Sequence, residues 1–485
     1  MNNINQLKTT KRGKQAPLVA DSSQGSSYPI GPRTGFDFDA QNLTPYGGLL
    51  PIATMLEKLG FQDLVIQHLE VKRPTRSMSA YQFVLAMVLG MYIGFGRLYQ
   101  LRFIACDAIF KGILHIAVLP AQSTFWRFLA SLHGSMAYQM VNVQRCMRNR
   151  VWAAAHVRLR SVTLDTDTTV HTVYGRQMGG RVSYAPKKKG ARSYQPIFTF
   201  MAETREYIAG QLRNGDRPSA KQIRFHLQQV FRCIPEGVQE LRARADSGFY
   251  CWETVSAYIA HGCHFIMVAR KTKRLLAALA TANWKPSPKS HADEECEFQY
   301  QPEGWPRAFR FLALRFRKPS TPNKPGQEQY QLFETAAYVY RVFVTDLEGP
   351  VYRLVKFYNE RCASENLIKE ANNDAGWTAH PSNRFDMNHN HFQLTMLAYN
   401  LNCWLALFHR TEGVPANALR HTTLAIARLR FLFIAARLRR HAGQVSVSYS
   451  DQYEEKTTFS VLMDRLRKIR PRNGIFSPVI DLALT

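Results

Sequence analysis

The stretch Val162-Thr-Leu-Asp165-Thr-Asp167-Thr-Thr169 decides how the chain reads. β-Branched and apolar residues fill it, and it follows a basic, helix-like run that ends near Arg160, so it reads as a short strand. Side chains alternate along a strand, which sends Val162 and Leu164 one way and Thr163, Asp165 and Asp167 the other. Two carboxylates on one strand face are costly unless something positive lies between or opposite them. Taken alone, the pair could be a solvated strand end. Two further acidic residues in similarly unusual settings, Asp246 and Glu365, turn the reading toward a carboxylate-held metal centre that cuts and joins nucleic acid.

Working outward, strands are expected over 194–200 and 207–212, a helix over 219–232, a strand from 241 that ends on Asp246 with a glycine turn to 249, a helix over 252–261 and a strand over 263–268. Strands alternating with helices indicate an α/β core with some parallel pairing. Asp246 would close its strand at the carboxyl end, where sites in open α/β sheets gather. Between 271 and 350 the composition becomes β-rich and Pro/Gly-divided, an insertion into the α/β pattern. The pattern resumes at 357–371. At about 100° per residue, Tyr358, Arg361, Glu365 and Lys369 share one helical stripe. That stripe is either a salt-bridge ladder or a functional face. Trp305, inside the insertion, is either a core residue or a base-stacking platform.

Upstream, 43–156 has helical periodicity, with Gly60 ending the first apolar run. The apolar segment 81–95 is short for a membrane span and carries Gln82 and two glycines, so a buried helix is expected. Ser123 is placed to cap a helix over 124–132 with Arg127 exposed, either the recognition helix of a helix-turn-helix unit or an ordinary bundle helix. The run Tyr174-Gly175-Arg-Gln177-Met-Gly179-Gly180 lacks phosphate-loop spacing. Lys187, Lys188 and Lys189 form a basic loop tip, either solvated or set against phosphates. His380, His389 and His391 match no zinc spacing. Residues 418–440 and 459–470 are expected to be helical, with Arg437, Arg439 and Arg440 touching phosphates.

Charge points the same way. Across 485 residues, Lys plus Arg number 63 against 36 Asp plus Glu, a formal net charge of +27, spread along the chain. A globular protein this basic most often has a polyanionic partner, usually nucleic acid, the alternatives being a merely basic soluble protein or a binder of anionic membranes. The eight cysteines form no CxxC pair, which argues against a zinc ribbon and fits a reducing cytosol.

Three short motifs then carry a resemblance. They are Leu164-Asp-Thr-Asp167-Thr-Thr169 followed by Tyr174-Gly175, then Arg244-Ala-Asp246-Ser-Gly-Phe249, and Tyr358-x-x-Arg361-x-x-x-Glu365. Gln211-Leu-Arg213-Asn-Gly215 and Leu397-Ala-Tyr399-Asn400-Leu401 stand beside them. In order and spacing, over roughly 40–470, the chain resembles the DDE transposases of bacterial insertion sequences, and insertion-sequence family thirteen-eighty most of all. The resemblance implies an RNase H-like catalytic fold in which Asp167, Asp246 and Glu365 hold two Mg²⁺ or Mn²⁺ ions. It implies that Tyr358, Arg361 and Lys369 contact DNA, with Asp165 and Arg244 as supports behind the ligands. The wider signature has a lysine seven residues after the glutamate, and here that position is Asn372.

The expected organisation is a basic, disordered tail (1–36), a helical DNA-binding region (37–156), a catalytic core in two parts (157–270 and 351–410) around a β-rich insertion (271–350), and a basic helical end (411–485). The expected partners are double-stranded DNA, both element ends and target, and a second copy in a synaptic complex, with no membrane and a place at the bacterial nucleoid. A metal-dependent nuclease of the same fold and a non-catalytic DNA binder are the alternatives.

Overall fold

A computed structural model describes residues 30–71, 78–182, 188–216, 220, 222–288, 292–317, 338–410, 414–416 and 421–471. Most of the expected 1–36 tail therefore lies outside the described residues. Residues 30–41 belong to a separate unit and hold one tight turn, in which the Thr34 amide donates to the Gly31 carbonyl.

From Asn42 onward the chain forms one unit. After the short strand β1 (Leu43–Thr44) come helices α1 (Leu49–Lys58), α2 (Phe61–His68) and α3 (Ala80–Ile93). A 3₁₀ segment (Leu98–Ile104) leads to α4 (Ala108–Leu114), α5 (Gln122–Ser131) and α6 (Met136–Ala154). Helix α3 is apolar almost all round and is buried from Phe83 to Ile93, as such a helix must be in water. Among the described residues no single helix is long and apolar enough to cross a membrane. Helix α5 begins one residue before Ser123 with Ala121 as its cap, so Ser123 is a helical residue and not the expected cap.

The sheet follows. Strands β2 (Ser161–Thr168), β6 (Ile197–Met201) and β7 (Tyr207–Gln211) run antiparallel. Between β2 and β6, the strands β3 (His171–Thr172), β4 (Arg181–Val182) and β5 (Arg192–Tyr194) make a small separate sheet. Helix α7 (Ile223–Arg232) then leads to β8 (Glu240–Ala245), and α8 (Trp252–Ala260) to β9 (Cys263–Val268). Both strands are parallel to β2. After α9 (Lys273–Ala280), the strands β10 (Lys285–Pro286), β11 (Glu294–Tyr300), β12 (Phe309–Arg317) and β13 (Tyr338–Thr345) extend this same sheet, with β13 pairing antiparallel to β9. The described sheet order is β10-β11-β12-β13-β9-β8-β2-β6-β7. Trp305 is 7 % exposed and packs on Tyr250, Trp252 and Phe309, a core position.

Three helices cover the sheet next: α10 (Val351–Asn359), α11 (Cys362–Asn373) and the long α12 (Phe385–His409). The expected helical end is mostly something else. Among the described residues, α13 (Leu424–Ala427) and a π turn (Arg428–Leu432) precede a hairpin of β14 (Ala436–His441) and β15 (Gln444–Tyr449), and α14 (Lys456–Lys468) follows. Arg437, Arg439 and Arg440 are therefore strand residues, because Ala436 and Leu438 are buried on alternate positions, a period of two rather than 3.6.

One apolar core runs from Leu49 in α1 to Leu466 in α14. At its centre Glu206 is fully buried and saturated with donors. Arg148 Nε reaches it at 3.0 Å, Trp152 Nε1 at 2.9 Å, Trp404 Nε1 at 2.7 Å and the Thr204 hydroxyl at 2.6 Å. A buried charge needs this degree of pairing. The carboxylate thereby ties α6 and α12 to the turn between β6 and β7. Asn400 does similar work, bonding both the amide and the carbonyl of Tyr207 at 2.9 Å.

Candidate active site

Strand β2 lies between antiparallel β6 and parallel β8. Its register with β8 pairs Asp165 with Arg244 and Thr166 with Ala245. One further step sets Asp167 beside Asp246 at the carboxyl ends of two adjacent parallel strands. Asp246 then turns the chain, its Oδ1 accepting from the Gly248 amide at 2.9 Å. On the opposite face of β2, the Thr166 hydroxyl meets that of Thr199 at 2.9 Å, and Thr199 meets His226 Nε2 of α7 at 2.8 Å. Strand β2 is thus buried on both faces.

Behind Asp167, Asp165 and Arg244 form a buried bidentate pair. Nε to Oδ1 and Nη2 to Oδ2 are each 2.7 Å, and the side chains are 3 % and 2 % exposed. The third guanidinium nitrogen, Nη1, donates to the Phe357 carbonyl at 2.7 Å. One side chain therefore fixes two strands and the end of α10.

The expected stripe through Tyr358, Arg361, Glu365 and Lys369 is broken. Helix α10 stops at Asn359, and α11 starts at Cys362 with Arg361 as its cap residue. This redirects Arg361 inward. Its Nη2 lies 2.8 Å from Asp167 Oδ2, while Nε and Nη2, both buried, have no aligned acceptor. The contact is an ion pair by distance whose N–H bonds point elsewhere. Asp167 Oδ1 accepts the Thr168 amide at 2.8 Å. Burial pushes the Asp167 carboxyl up to about 6; Arg361 opposes this, and the negative charges of Asp246 and Glu365 add to it.

Glu365 and Lys369 are exposed, one turn apart in α11, with Glu365 in its first turn. Tyr358 is buried against Phe343 with its ring 5.4 Å from the Arg341 guanidinium. Asn372 faces the interior and meets His171 Nε2 at 3.0 Å, with Trp377 and His380 against the same imidazole. Lys188 and Lys189 are exposed, with the Lys188 ammonium 4.9 Å from the centre of the exposed Tyr174 ring. Lys187 lies outside the described residues. His389 and His391 are buried on α12.

The sequence reading did not reach the Arg361–Asp167 pair or the Phe357 carbonyl as a ligand of Arg244.

Carboxylates suit hard divalent ions, which keep waters and accept phosphate oxygens as further ligands. Asp167, with two other acids bearing on it and a buried cation beside it, is such a carboxylate. Among the described residues, no three His, Cys, Asp or Glu side chains stand close enough together to hold one ion. Carboxylate oxygens are the donors a hard divalent ion takes, and the charges of Asp246 and Glu365 reach Asp167, but the three side chains do not close a cage.

The family model for the transposase DDE domain, group 1, matches residues 31–471. No curated protein matches the sequence. Among solved structures, the chain is similar to the cryo-EM structure of a piggyBac transposase synaptic complex with hairpin DNA. That match has a TM-score of 0.39 and 8 % sequence identity over 88 % of this chain and 86 % of that one.

Proposed function

The chain belongs to the group 1 DDE-domain transposases, enzymes that cleave and transfer nucleic acid, and from that premise we propose how it acts and on what. It binds the terminal inverted repeats of an insertion sequence of family thirteen-eighty, cleaves a strand and joins it to target DNA. The observation that carries this is the β2–β8 register, which supports Asp167 and Asp246 as neighbours at one strand end.

The order β7-β6-β2-β8-β9, with β2, β8 and β9 parallel, supports an RNase H-like core. Asp167, Asp246 and Glu365 would hold one or two Mg²⁺ or Mn²⁺ ions, which supply a more acidic water or 3′-hydroxyl and neutralise charge on the scissile phosphate. Arg361, with two N–H groups unmatched beside Asp167, offers donors to a phosphate oxygen. Arg244 and Asp165 hold the strand and helix ends in position. Lys188, Lys189, Lys369, Arg437, Arg439 and Arg440 contribute positive charge along the DNA, and Tyr358 braces the base of Arg361. Two copies would bring two element ends together at the nucleoid.

Purified protein incubated with Mg²⁺ and a duplex carrying the element's end tests this. Strand cleavage followed by joined products supports it. Cleavage without joining would make the protein a nuclease, and binding without cleavage would make it a DNA binder.

A further inference from the structure

Several arginines near the C-terminus are engaged inside the protein. Arg428 donates to the carbonyls of Tyr92, Met91 and Asp374, closing the end of α3. Arg465 reaches the Phe408 carbonyl at the end of α12, and Arg430 pairs with Glu455. Among the described residues, no ion pair engages Arg437, Arg439 or Arg440, and all three are exposed.

These three sit on a ribbon whose faces differ, with Arg437 and Arg439 on one and Arg440 on the other. Strand β14 pairs antiparallel with β15, setting Arg437 opposite Ser448 and Arg439 opposite Ser446. On its other side β14 pairs with β1, setting Leu43, 55 % exposed, opposite Arg437. Directly opposed residues share a face, so the outer face carries Leu43, Arg437, Arg439, Ser446 and Ser448. The inner face, with Leu438, Val445 and Val447, packs on the core, and Arg440, opposite Val445, lies on that side at its exposed end next to the turn. The ribbon turns through Ala442 and Gly443, both left-handed at φ 49° and 78°, the conformation a two-residue hairpin demands. From Ile434 to Ser450 the sequence contains no acidic residue.

Past Arg437, where β1 no longer pairs with β14, the hairpin is a two-stranded ribbon of the width that fits the major groove, and the side chains on its outer face are those that read it. Arginine matches the O6 and N7 of guanine, serine bonds either edge, and an aliphatic group meets the thymine methyl. Arg437 and Arg439 are separated by about 6.7 Å of strand, close to two base-pair steps of roughly 3.4 Å.

We propose that the outer face of the β14–β15 ribbon is a sequence-reading surface. It enters the major groove at the element's end, with Arg437 and Arg439 on guanine edges, while Arg440 beside the turn holds a phosphate. This rests on the end-binding transposase reading above and gives it a recognition element.

The test selects duplexes with the full-length protein from a pool bearing a random core, then repeats the selection with Arg437→Lys/Arg439→Lys. The wild type enriches a motif. The double variant, unchanged in circular dichroism and in its affinity for unselected DNA, loses guanine preference at neighbouring positions, about five- to a hundredfold for each contact. Arg440→Ala keeps the motif and lowers the salt slope by about 0.9. If the double variant enriches the wild-type motif, the ribbon does not read bases, whatever the enzyme cleaves. If the wild type enriches no motif, end recognition fails and the ribbon proposal falls with it. A motif without Mg²⁺-dependent cleavage would leave the ribbon standing and overturn the catalytic reading alone.

Discussion

Arg244 grips both carboxylate oxygens of Asp165 at 2.7 Å, and its remaining nitrogen holds the Phe357 carbonyl at the same distance. Two strands and the helix leading to Arg361 and Glu365 are thereby joined by one guanidinium. Removing one partner of a buried pair strands the other charge and costs about 3–5 kcal/mol. Arg244→Met should lower the urea midpoint accordingly. Pairing it with Asp165→Leu should restore much of that stability and still leave cleavage impaired, because the Phe357 tether is lost. Normal cleavage by the stable double variant would contradict the positioning role.

Asp165 and Asp167 share a strand face and differ in partners. Asp165 is closed off by Arg244, whereas Asp167 feels Asp246, Glu365 and Arg361. Asp165→Asn, which keeps the shape and one acceptor, should reduce cleavage by about ten- to a hundredfold, the usual cost of disturbing a ligand's support. Asp167→Asn should abolish it. The reverse ranking in folded proteins would mean that Asp165 is the ligand.

Glu206 holds α6, α12 and the β6–β7 turn together through four donors. Glu206→Gln should leave the Arg148 charge without its counter-ion, held only by the Tyr207 and Cys233 carbonyls, and cost roughly 3 kcal/mol or more. A thermal or urea midpoint matching the wild type would show that the clasp contributes little.

Burial pushes His171, His226 and His391 down to about 3, and His380, His389 and His409 to about 4. Each takes up a proton in the unfolded chain near pH 6.5 but not in the fold. Their contribution to stability is therefore complete above about pH 6.5 and is lost as pH falls from there toward 4, by up to about 1.4 kcal/mol per unit for each group. Unfolding midpoints should drop steeply between about pH 6.5 and 4. A flat profile would mean that water reaches these rings.

The core strands are legible because their pattern is local. Cys263–Val268 is an apolar run bounded by glycine and basic residues, and its expected and observed limits coincide. The α10–α11 break is not legible, since Glu360 and Arg361 keep helical angles of −60°, −16° and −58°, −23°. Propensity registers no boundary there, and the redirection of Arg361 toward Asp167 depends on tertiary packing. Around Arg437 the arginines favour a helix on propensity alone. The alternation of Ala436 and Leu438 with Arg437 and Arg439, and the Ala442-Gly443 turn, carried the strand signal that this masked. Asn372 stands where the resemblance led to a lysine being expected, and its bond to His171 is visible only once the chain has folded.

The central claim is that Asp167, Asp246 and Glu365 act together on DNA. The most direct measurement is strand cleavage of an end-bearing duplex by the wild type and by Asp167→Asn, Asp246→Asn and Glu365→Gln, with Mg²⁺ and with EDTA, alongside end binding by each. The account predicts cleavage by the wild type with Mg²⁺ only, none by any variant, and end binding nearly unchanged throughout. Undiminished Mg²⁺-dependent cleavage by a variant would contradict it.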